Sequence, residues 1–299
     1  MKNPANKISK HVKTAIKLFI SAAALLYVLY KIDFSEVIEI YKDVKFFYIV
    51  PAILLFVFSK VFSSFRLNLF LREIKIHLTQ ASNLKLYSLG MFYNLFLPGG
   101  IGGDGYKIYL LNKKTGVKAG KIFWAVFLDR LNGMLALFLL AIGLVYLIDV
   151  LLSFKLFLWL LIPLSLLVFY MILRKFFPYF TGIYGKSNLL SLGVQVLQVA
   201  CAMFLLLALN EYGENTLHYL FLFLISSIVA TLPITIGGIG SREITFLYGA
   251  GLLGLDVNVS IALSLMFYLI TAFVSSWGLY YSIHAPHLVF NTIPNKSRN

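Results

Sequence analysis

Two short segments of the chain place a cation at the end of a run of proline and glycine. The first reads LPGGIGGDGYK over residues 97–107 and the second reads LPITIGGIGSR over residues 232–242, so both fit L-P-x-x-I-G-G-x-G-x-[K/R]. Proline ends an incoming helix and glycine lets the backbone turn, so each segment predicts a tip from which a second helix begins. The positive start of that helix, beside Lys107 or Arg242, is suited to an anion such as phosphate.

Arg242 is predicted to be the main contact for an anionic headgroup, because a planar guanidinium can grip two phosphate oxygens. Lys107 and Arg130 are predicted to assist it. The tip residues themselves are Pro98, Gly99, Gly102 and Gly103 in the first segment and Pro233, Gly237, Gly238 and Gly240 in the second. The full set of candidate substrate-binding residues is Arg242, Lys107, Arg130, Asp104, Asn94, Glu243 and Asp129.

Acidic residues near these cations are predicted to be their partners. Asp104 stands where the second segment has Ile239, and it could pair with Arg242 or bind a proton. Glu243 is the alternative resting partner of Arg242. Arg130 could reach either the substrate or a carboxylate such as Asp104.

Five polar residues have predicted roles that follow from their positions along helices. Asp129 and Arg130 are adjacent, so they point in different directions from one helix and are not each other's best partner. Asn94 precedes the first tip by one helical turn and could hydrogen-bond the carbonyls of the tip. Lys60 and Arg66 are predicted to snorkel from a cytoplasmic helix end towards the membrane surface.

The elements that carry these residues are predicted to be membrane helices. Hydrophobic residues make up 60% of the 299 residues and charged residues 13%, which excludes an ordinary soluble domain. Long apolar runs without alternation favour helices over barrel strands. Six full spans are predicted at 14–32, 46–65, 122–148, 156–173, 189–209 and 257–283, while 86–111 and 217–254 are interrupted by the two tips.

The charges of the loops predict how the interrupted regions cross the membrane. Basic segments flank 86–111 on both sides and acidic segments flank 217–254 on both sides, and positive loops stay in the cytoplasm. Each region is therefore predicted to be a re-entrant hairpin that returns to the side it entered. The N-terminus and the C-terminus are both predicted to be cytoplasmic.

The order span, hairpin, span occurs twice with opposite orientation. It covers 46–148 with hairpin 86–111 and 189–283 with hairpin 217–254, within a single polytopic membrane domain over 1–299. The fold class predicted is an all-α integral membrane protein with six transmembrane helices, two oppositely oriented re-entrant hairpins and an inverted repeat, as in transporters with alternating access.

Other classes of function lack support in the residues. The net charge of +14 lies in loops beside spans rather than on a face with stacking aromatics, so no nucleic-acid partner is expected. The five histidines have no metal-ligand spacing, and no dinucleotide, nucleotide or nucleophile motif occurs, so no metal, cofactor or enzyme activity is expected. Oligomeric state is left open.

The motif residues resemble those of the transmembrane domain of bacterial lysylphosphatidylglycerol synthases and its stand-alone, flippase-like relatives. In the first hairpin the resemblance rests on Asn94, Pro98, Gly99, Asp104 and Lys107, followed by the pair Asp129 and Arg130. In the second hairpin it rests on Pro233, Gly237, Gly238, Gly240, Arg242 and Glu243.

The resemblance implies a lipid translocase in the cytoplasmic (inner) membrane of a prokaryote, with an anionic or phosphate-bearing lipid as cargo. That cargo could be a phospholipid, an aminoacyl-phospholipid or a polyprenyl-phosphate-linked lipid. Because the sequence stops at Asn299 after a short polar tail, the soluble aminoacyl-transferring domain of the synthases is not expected. The alternative is a non-transporting partner that presents lipid to a separate glycosyl- or aminoacyl-transferring enzyme.

Overall fold

The described part of the chain is helical almost throughout. The computed structural model describes residue 26 and residues 39–96, 101–148, 157–232, 240–284 and 286–291. The α-helices within these ranges are α1 (Ile49–Glu73), α2 (Gln80–Phe96), α3 (Gly102–Thr115), α4 (Ala119–Val145), α5 (Leu158–Phe176), α6 (Tyr184–Ala208), α7 (Thr216–Thr231), α8 (Ser241–Leu253) and α9 (Val257–Ile283). Short 3-10 helices at Phe46–Tyr48 and Pro178–Ile183 precede α1 and α6.

Five of these helices are long and apolar enough to cross a membrane, namely α1, α4, α5, α6 and α9. They correspond to the predicted spans at 46–65, 122–148, 156–173, 189–209 and 257–283. The predicted first span at 14–32 falls outside the described residues except for residue 26. The all-α, multi-pass membrane architecture is therefore confirmed, and the sixth span stays a prediction.

The two interrupted regions each form a pair of shorter helices. Helices α2 and α3 have 17 and 14 residues, and α7 and α8 have 16 and 13. At 1.5 Å per residue the longest of them measures about 26 Å, which falls short of a hydrocarbon core of about 30 Å. Within each pair the two helices pack against each other. The first pair extends beyond the predicted range of 86–111, because α2 begins at Gln80 and α3 ends at Thr115.

Helices in the first half of the chain pack on helices in the second half. Helix α1 lies against α6, α2 lies against α9, and α4 lies against α7. Each second arm also packs on the helix that follows it, since α3 contacts α4 and α8 contacts α9. Exchanging the two halves leaves this list of contacts unchanged.

Three apolar clusters fill the described bundle, and a polar layer separates the two larger ones along α1. One of these two surrounds Phe56, Phe223 and Phe267, and the other surrounds Phe70 and Phe180. Between Phe56 and Phe70, helix α1 buries a series of polar side chains: Ser59, Ser63, Ser64, Arg66 and Asn68. Small polar residues let transmembrane helices approach closely, which fits the tight packing of α1 on α6.

The segment after α9 is fastened to the loop between α1 and α2. The backbone N–H of Asn291 donates to the carbonyl of His77 at 2.8 Å, and that of Thr79 donates to the carbonyl of Val289 at 3.1 Å. Leu78 and Phe290 form an isolated antiparallel bridge. The end of the described chain and the α1–α2 loop therefore lie on the same side of the bundle.

Candidate functional site

The start of α3 is fixed by a side chain from α2. The backbone N–H of Gly103 donates to Oδ1 of Asn94 at 2.8 Å, so Asn94 satisfies one of the otherwise unpaired donors at the helix start. The predicted structural role of Asn94 is thus seen in a different form. Its amide oxygen accepts from a backbone N–H of the second arm, whereas the prediction had the side chain bonding to tip carbonyls.

Asp104 lies in the first turn of α3 between two cations. Its Oδ1 is 3.1 Å from Nζ of Lys107, and its Oδ2 is 2.5 Å from Nε of Arg130 on α4. Asp104 and Lys107 are buried, whereas the Arg130 side chain is 30% exposed. Arg130 was predicted to reach either the substrate or a carboxylate such as Asp104, and in the structure it contacts Asp104. The prediction that Asp104 pairs with Arg242 is wrong, because the two nearer cations occupy both of its oxygens.

Lys107 packs directly on Gly90 of α2, where no side chain lies between them. A Cβ on Gly90 would lie 2.1 Å from Cε of Lys107. The ammonium also lies over the ring of Tyr87, 4.6 Å from its centroid. Lys107 is therefore enclosed between α2 and α3 and does not snorkel to the membrane surface.

Arg66 and Asp129 form a second buried ion pair, between α1 and α4. Nε of Arg66 donates to Oδ1 of Asp129 at 2.7 Å, and Nη1 donates to Oγ of Ser191 on α6 at 2.8 Å. Ser191 in turn donates to Asn132, which donates to Asn188 at 2.6 Å. This network ties three spans together, so the prediction that Arg66 snorkels is wrong.

Asp129 and Arg130 point in different directions, as predicted. Asp129 bonds to Arg66 on α1, while Arg130 bonds to Asp104 on α3. Helix α4 is thereby connected to α1 through Asp129 and to the start of α3 through Arg130.

Glu243 caps the start of α8 instead of pairing with its neighbour Arg242. Its Oε2 accepts from the backbone N–H of Gly240 at 2.7 Å, and its Oε1 accepts from the hydroxyl of Ser264 on α9 at 2.9 Å. Gly240 has φ of +83°, a conformation that L side chains rarely adopt. The carboxylate thus fixes the second arm to α9, and the expectation that it is the resting partner of Arg242 is not met.

Arg242 lies against aromatic rings. Its Cζ is 4.8 Å from the centroid of the Phe267 ring on α9 and 5.9 Å from that of Phe223 on α7. Among the described residues, no carboxylate oxygen lies within 4.0 Å of its nitrogens. Arg242 therefore differs from Lys107, its counterpart in the repeated motif, which is neutralised by Asp104.

Lys60 lies near the middle of α1, not at a helix end. The helix continues for thirteen residues beyond it to Glu73, which corresponds to about 20 Å. Nζ of Lys60 sits 4.2 Å from the centroid of the Phe56 ring. The prediction of snorkelling assumed that the span ended near residue 65, and the longer helix makes it wrong.

Five of the predicted tip residues, Pro98, Gly99, Pro233, Gly237 and Gly238, fall outside the described residues. Gly102, Gly103 and Gly240 are described and mark the starts of α3 and α8, as the motif predicted.

Sequence reasoning missed the inward roles of Lys60, Arg66, Gly90 and Ser191. The serines at 59, 63 and 64 were a usable signal, because small residues in a span mark the face that packs on other helices.

The comparison with known families decides what the chain is related to. The family model described as lysylphosphatidylglycerol synthase TM region matches residues 14–186, more than half of the sequence. The chain belongs to this family. The matched part of this family member contains the first tip, with Asn94, Asp104 and Lys107, and also Asp129 and Arg130. It ends before the second tip, and no curated protein matches the chain.

Proposed function

We propose that this family member is a lipid translocase that moves an anionic or phosphate-bearing lipid between the two leaflets of a membrane. The observation that carries the proposal is the position of Arg242, at the start of α8 and over Phe267, with no carboxylate within 4.0 Å among the described residues. A charge at membrane depth is expensive and is usually paired or functional. An anionic headgroup would supply the missing negative charge.

The charges in the middle of the bundle favour an anionic cargo. The charged residues at the tips and in the middle of α1 and α4 are Lys60, Arg66, Asp104, Lys107, Asp129, Arg130, Arg242 and Glu243. These are five cations and three carboxylates, so the described interior has a surplus of two positive charges. The three carboxylates are already engaged by Arg66, by Lys107 with Arg130, and by the start of α8.

The difference between the two tips indicates where the headgroup binds. At the first tip Asp104 neutralises the motif cation, whereas the second segment has Ile239 at the matching position. The second tip is therefore the stronger anion site. Lys107 and Arg130 assist at the first tip when Asp104 releases one of them, which keeps the predicted helper role for both.

The reciprocal packing of the two halves supports an inverted repeat with two re-entrant hairpins. A pseudo-two-fold axis requires that the contact of α2 with α9 be matched by a contact of α7 with α4, and both are present. The shortness of the four hairpin arms also favours hairpins over full crossings. In this proposal the two hairpins open the central site to opposite leaflets in turn, as in other inverted-repeat transporters.

The proposal places the protein in the cytoplasmic (inner) membrane of a prokaryote, with both ends in the cytoplasm. The basic loops beside α2 and α3 support this orientation through the positive-inside bias. The contact of residues 289–291 with the α1–α2 loop puts the end of the described chain on that same side. The activity proposed is translocation without chemical change of the lipid, so we infer no enzymatic step.

Reconstitution in liposomes tests the proposed function. Fluorescently labelled phosphatidylglycerol, phosphatidic acid and phosphatidylcholine are followed by quenching the outer leaflet, and the wild type is expected to accelerate crossing of the anionic lipids. Arg242→Lys keeps the charge but loses the bidentate fork, so it should slow crossing, and Arg242→Gln should slow it further. The proposal fails if no lipid crosses faster with the wild type, or if folded Arg242→Gln protein keeps the wild-type rate.

A further inference from the structure

Lys60 and Arg242 converge on one group of three phenylalanines inside the bundle. Lys60 lies on the ring of Phe56, and Arg242 lies on the ring of Phe267. The centroids of these two rings are 5.5 Å apart, and the Phe223 ring lies 4.8 Å from that of Phe267. Lys60 on α1 and Arg242 on α8 therefore contact neighbouring rings of the same aromatic cluster.

Lys60 points into the bundle and not towards lipid. Of the four residues one helical turn from Lys60, three are buried (Phe56, Ser63 and Ser64) and Val57 is exposed, whereas Phe58 and Phe62 on the other side are both exposed. Lys60 itself is nonetheless only half-buried. Part of the Lys60 side chain is therefore accessible to a ligand.

The aromatic contacts alone do not balance these two charges. A cation over an aromatic ring gains about 0.5–2 kcal/mol, whereas a single Lys or Arg at the centre of a membrane helix costs about 2.5–3.5 kcal/mol on insertion scales. Mutual repulsion of the two cations adds to that cost. The arrangement becomes favourable when an anion lies between them.

A buried hydroxyl next to the aromatic group adds a polar contact. Ser227 lies one turn beyond Phe223 on α7, and its Oγ has no hydrogen-bond partner among the described residues. Its side chain is 6% exposed. A phosphate oxygen would satisfy such a hydroxyl, since buried polar groups are normally hydrogen-bonded.

From this geometry we propose that Lys60 is the second cation of the Arg242 site, and that the two together hold a phosphomonoester headgroup. A phosphomonoester carries about −1.5 to −2 charges at pH 7, which matches two monovalent cations better than a phosphodiester does. The inference rests on the proposed translocase function and narrows its cargo to lipids that end in such a group.

Binding to the purified full-length protein in detergent tests the site without requiring transport. Short-chain phosphatidic acid is titrated while thermal unfolding is followed, with phosphatidylcholine of the same chain length and inorganic phosphate in parallel. Phosphatidic acid should raise Tm of the wild type. Lys60→Met and Arg242→Gln should each weaken its apparent affinity roughly tenfold or more, as expected for loss of one charged hydrogen bond. Lys60→Arg should keep the response.

The matched control is Arg72→Gln, which removes an exposed cation from the same helix and should bind like the wild type. Without lipid, Lys60→Met should unfold no lower than this control, because it removes an uncompensated charge. A lower Tm for Lys60→Met would show that the protein itself neutralises Lys60 and would overturn the proposal. An equal response to phosphatidylcholine, or to inorganic phosphate alone, would overturn the headgroup assignment.

The liposome assay separates failure of this inference from failure of the proposed function. Suppose that the wild type moves anionic lipids and that Lys60→Met moves phosphatidic acid at the same rate. The assignment of Lys60 to the headgroup site is then wrong, and the proposed translocase function is retained. If the wild type moves no lipid but phosphatidic acid binding depends on Lys60, the proposed translocase function is wrong and the assignment of the headgroup site is retained.

Discussion

The ion pair between Arg66 and Asp129 shows how a buried charge is accommodated at the residue scale. The side chains are 6% and 8% exposed, and the guanidinium also donates to Ser191. Gly133 makes room for it, since a Cβ there would lie 3.0 Å from Nη1. Removing one member of a buried pair leaves the other charge uncompensated and costs about 3–5 kcal/mol.

Arg66→Ala should therefore lower the free energy of unfolding by about 3–5 kcal/mol, because Asp129 then stays buried without this partner. Unfolding in detergent, followed by fluorescence, measures the effect. Arg72→Ala, on the same helix but exposed, should change stability by less than about 0.5 kcal/mol. Equal Tm values for Arg66→Ala and Arg72→Ala would contradict a structural role for the pair.

The least predictable feature of the site was which residue forms an ion pair with each buried charge. Asp129 was known to point away from Arg130, because adjacency on a helix sets that direction. Its partner Arg66 lies 63 positions earlier in the chain, and only the packing of α1 on α4 brings the two together. Arg66 was misread because a hydropathy pattern does not distinguish a cation at the membrane surface from one bonded inside the bundle.

Glu243 gives a prediction that separates a helix cap from a charge partner. Glu243→Ala leaves the N–H of Gly240 and the hydroxyl of Ser264 without their acceptor, so stability should fall by about 0.5–2 kcal/mol. Glu243→Gln keeps one acceptor oxygen and should lose less. Thermal unfolding compares them. If Glu243 instead served to neutralise Arg242, the double change Arg242→Ala with Glu243→Ala would regain wild-type stability, and we expect that it does not.

At the scale of helices, α2 and α3 approach each other through a pair of glycines. A Cβ on Gly103 would lie 1.8 Å from the backbone oxygen of Gly90, a distance that no side-chain rearrangement relieves. The same approach holds Lys107 between the helices. Contact of the two backbones thus determines where the motif cation of the first hairpin lies.

Gly103→Ala should push α2 and α3 apart and destabilise the protein, whereas Gly105→Ala, two residues later, meets nothing within 4 Å. Alanine is favoured over glycine in a helix by about 1 kcal/mol, so Gly105→Ala should be neutral or stabilising. Limited proteolysis and Tm measurements on both variants check this. Similar behaviour of the two variants would show that the hairpin does not depend on the Gly90–Gly103 contact.

Element positions were more predictable than element ends. Every predicted span within the described residues has a matching helix, because runs of about 20 apolar residues satisfy the backbone in lipid only as helices. The end of α1 was placed near residue 65, yet the helix continues to Glu73. The polar residues after 65 include Arg66 and Asn68, which are buried by neighbouring helices and not by lipid, so hydropathy ended the span too early.

At the scale of the whole molecule, the like-charged flanks of each hairpin make a prediction about sidedness. Cys201 is the only cysteine, so replacing it by alanine gives a background for single labels. Cysteines at the exposed positions Ala81 and Lys113 should both react only from the cytoplasm, and those at Glu214 and Asp256 only from outside. Labelling of intact cells with a membrane-impermeant reagent measures this. Opposite sides within either pair would contradict the hairpin and indicate a single crossing in that region.

The packing of α2 on α9 has a consequence for how the protein is made. Tyr93 bonds to Ser282 at 2.9 Å, and a Cβ on Gly278 would lie 2.3 Å from the backbone oxygen of Ser88. The loop before α2 is likewise fastened to residues 289–291. During synthesis, α2 leaves the ribosome nearly two hundred residues before these partners. The first hairpin can therefore reach its final position only after α9 and residues 289–291 have been synthesised.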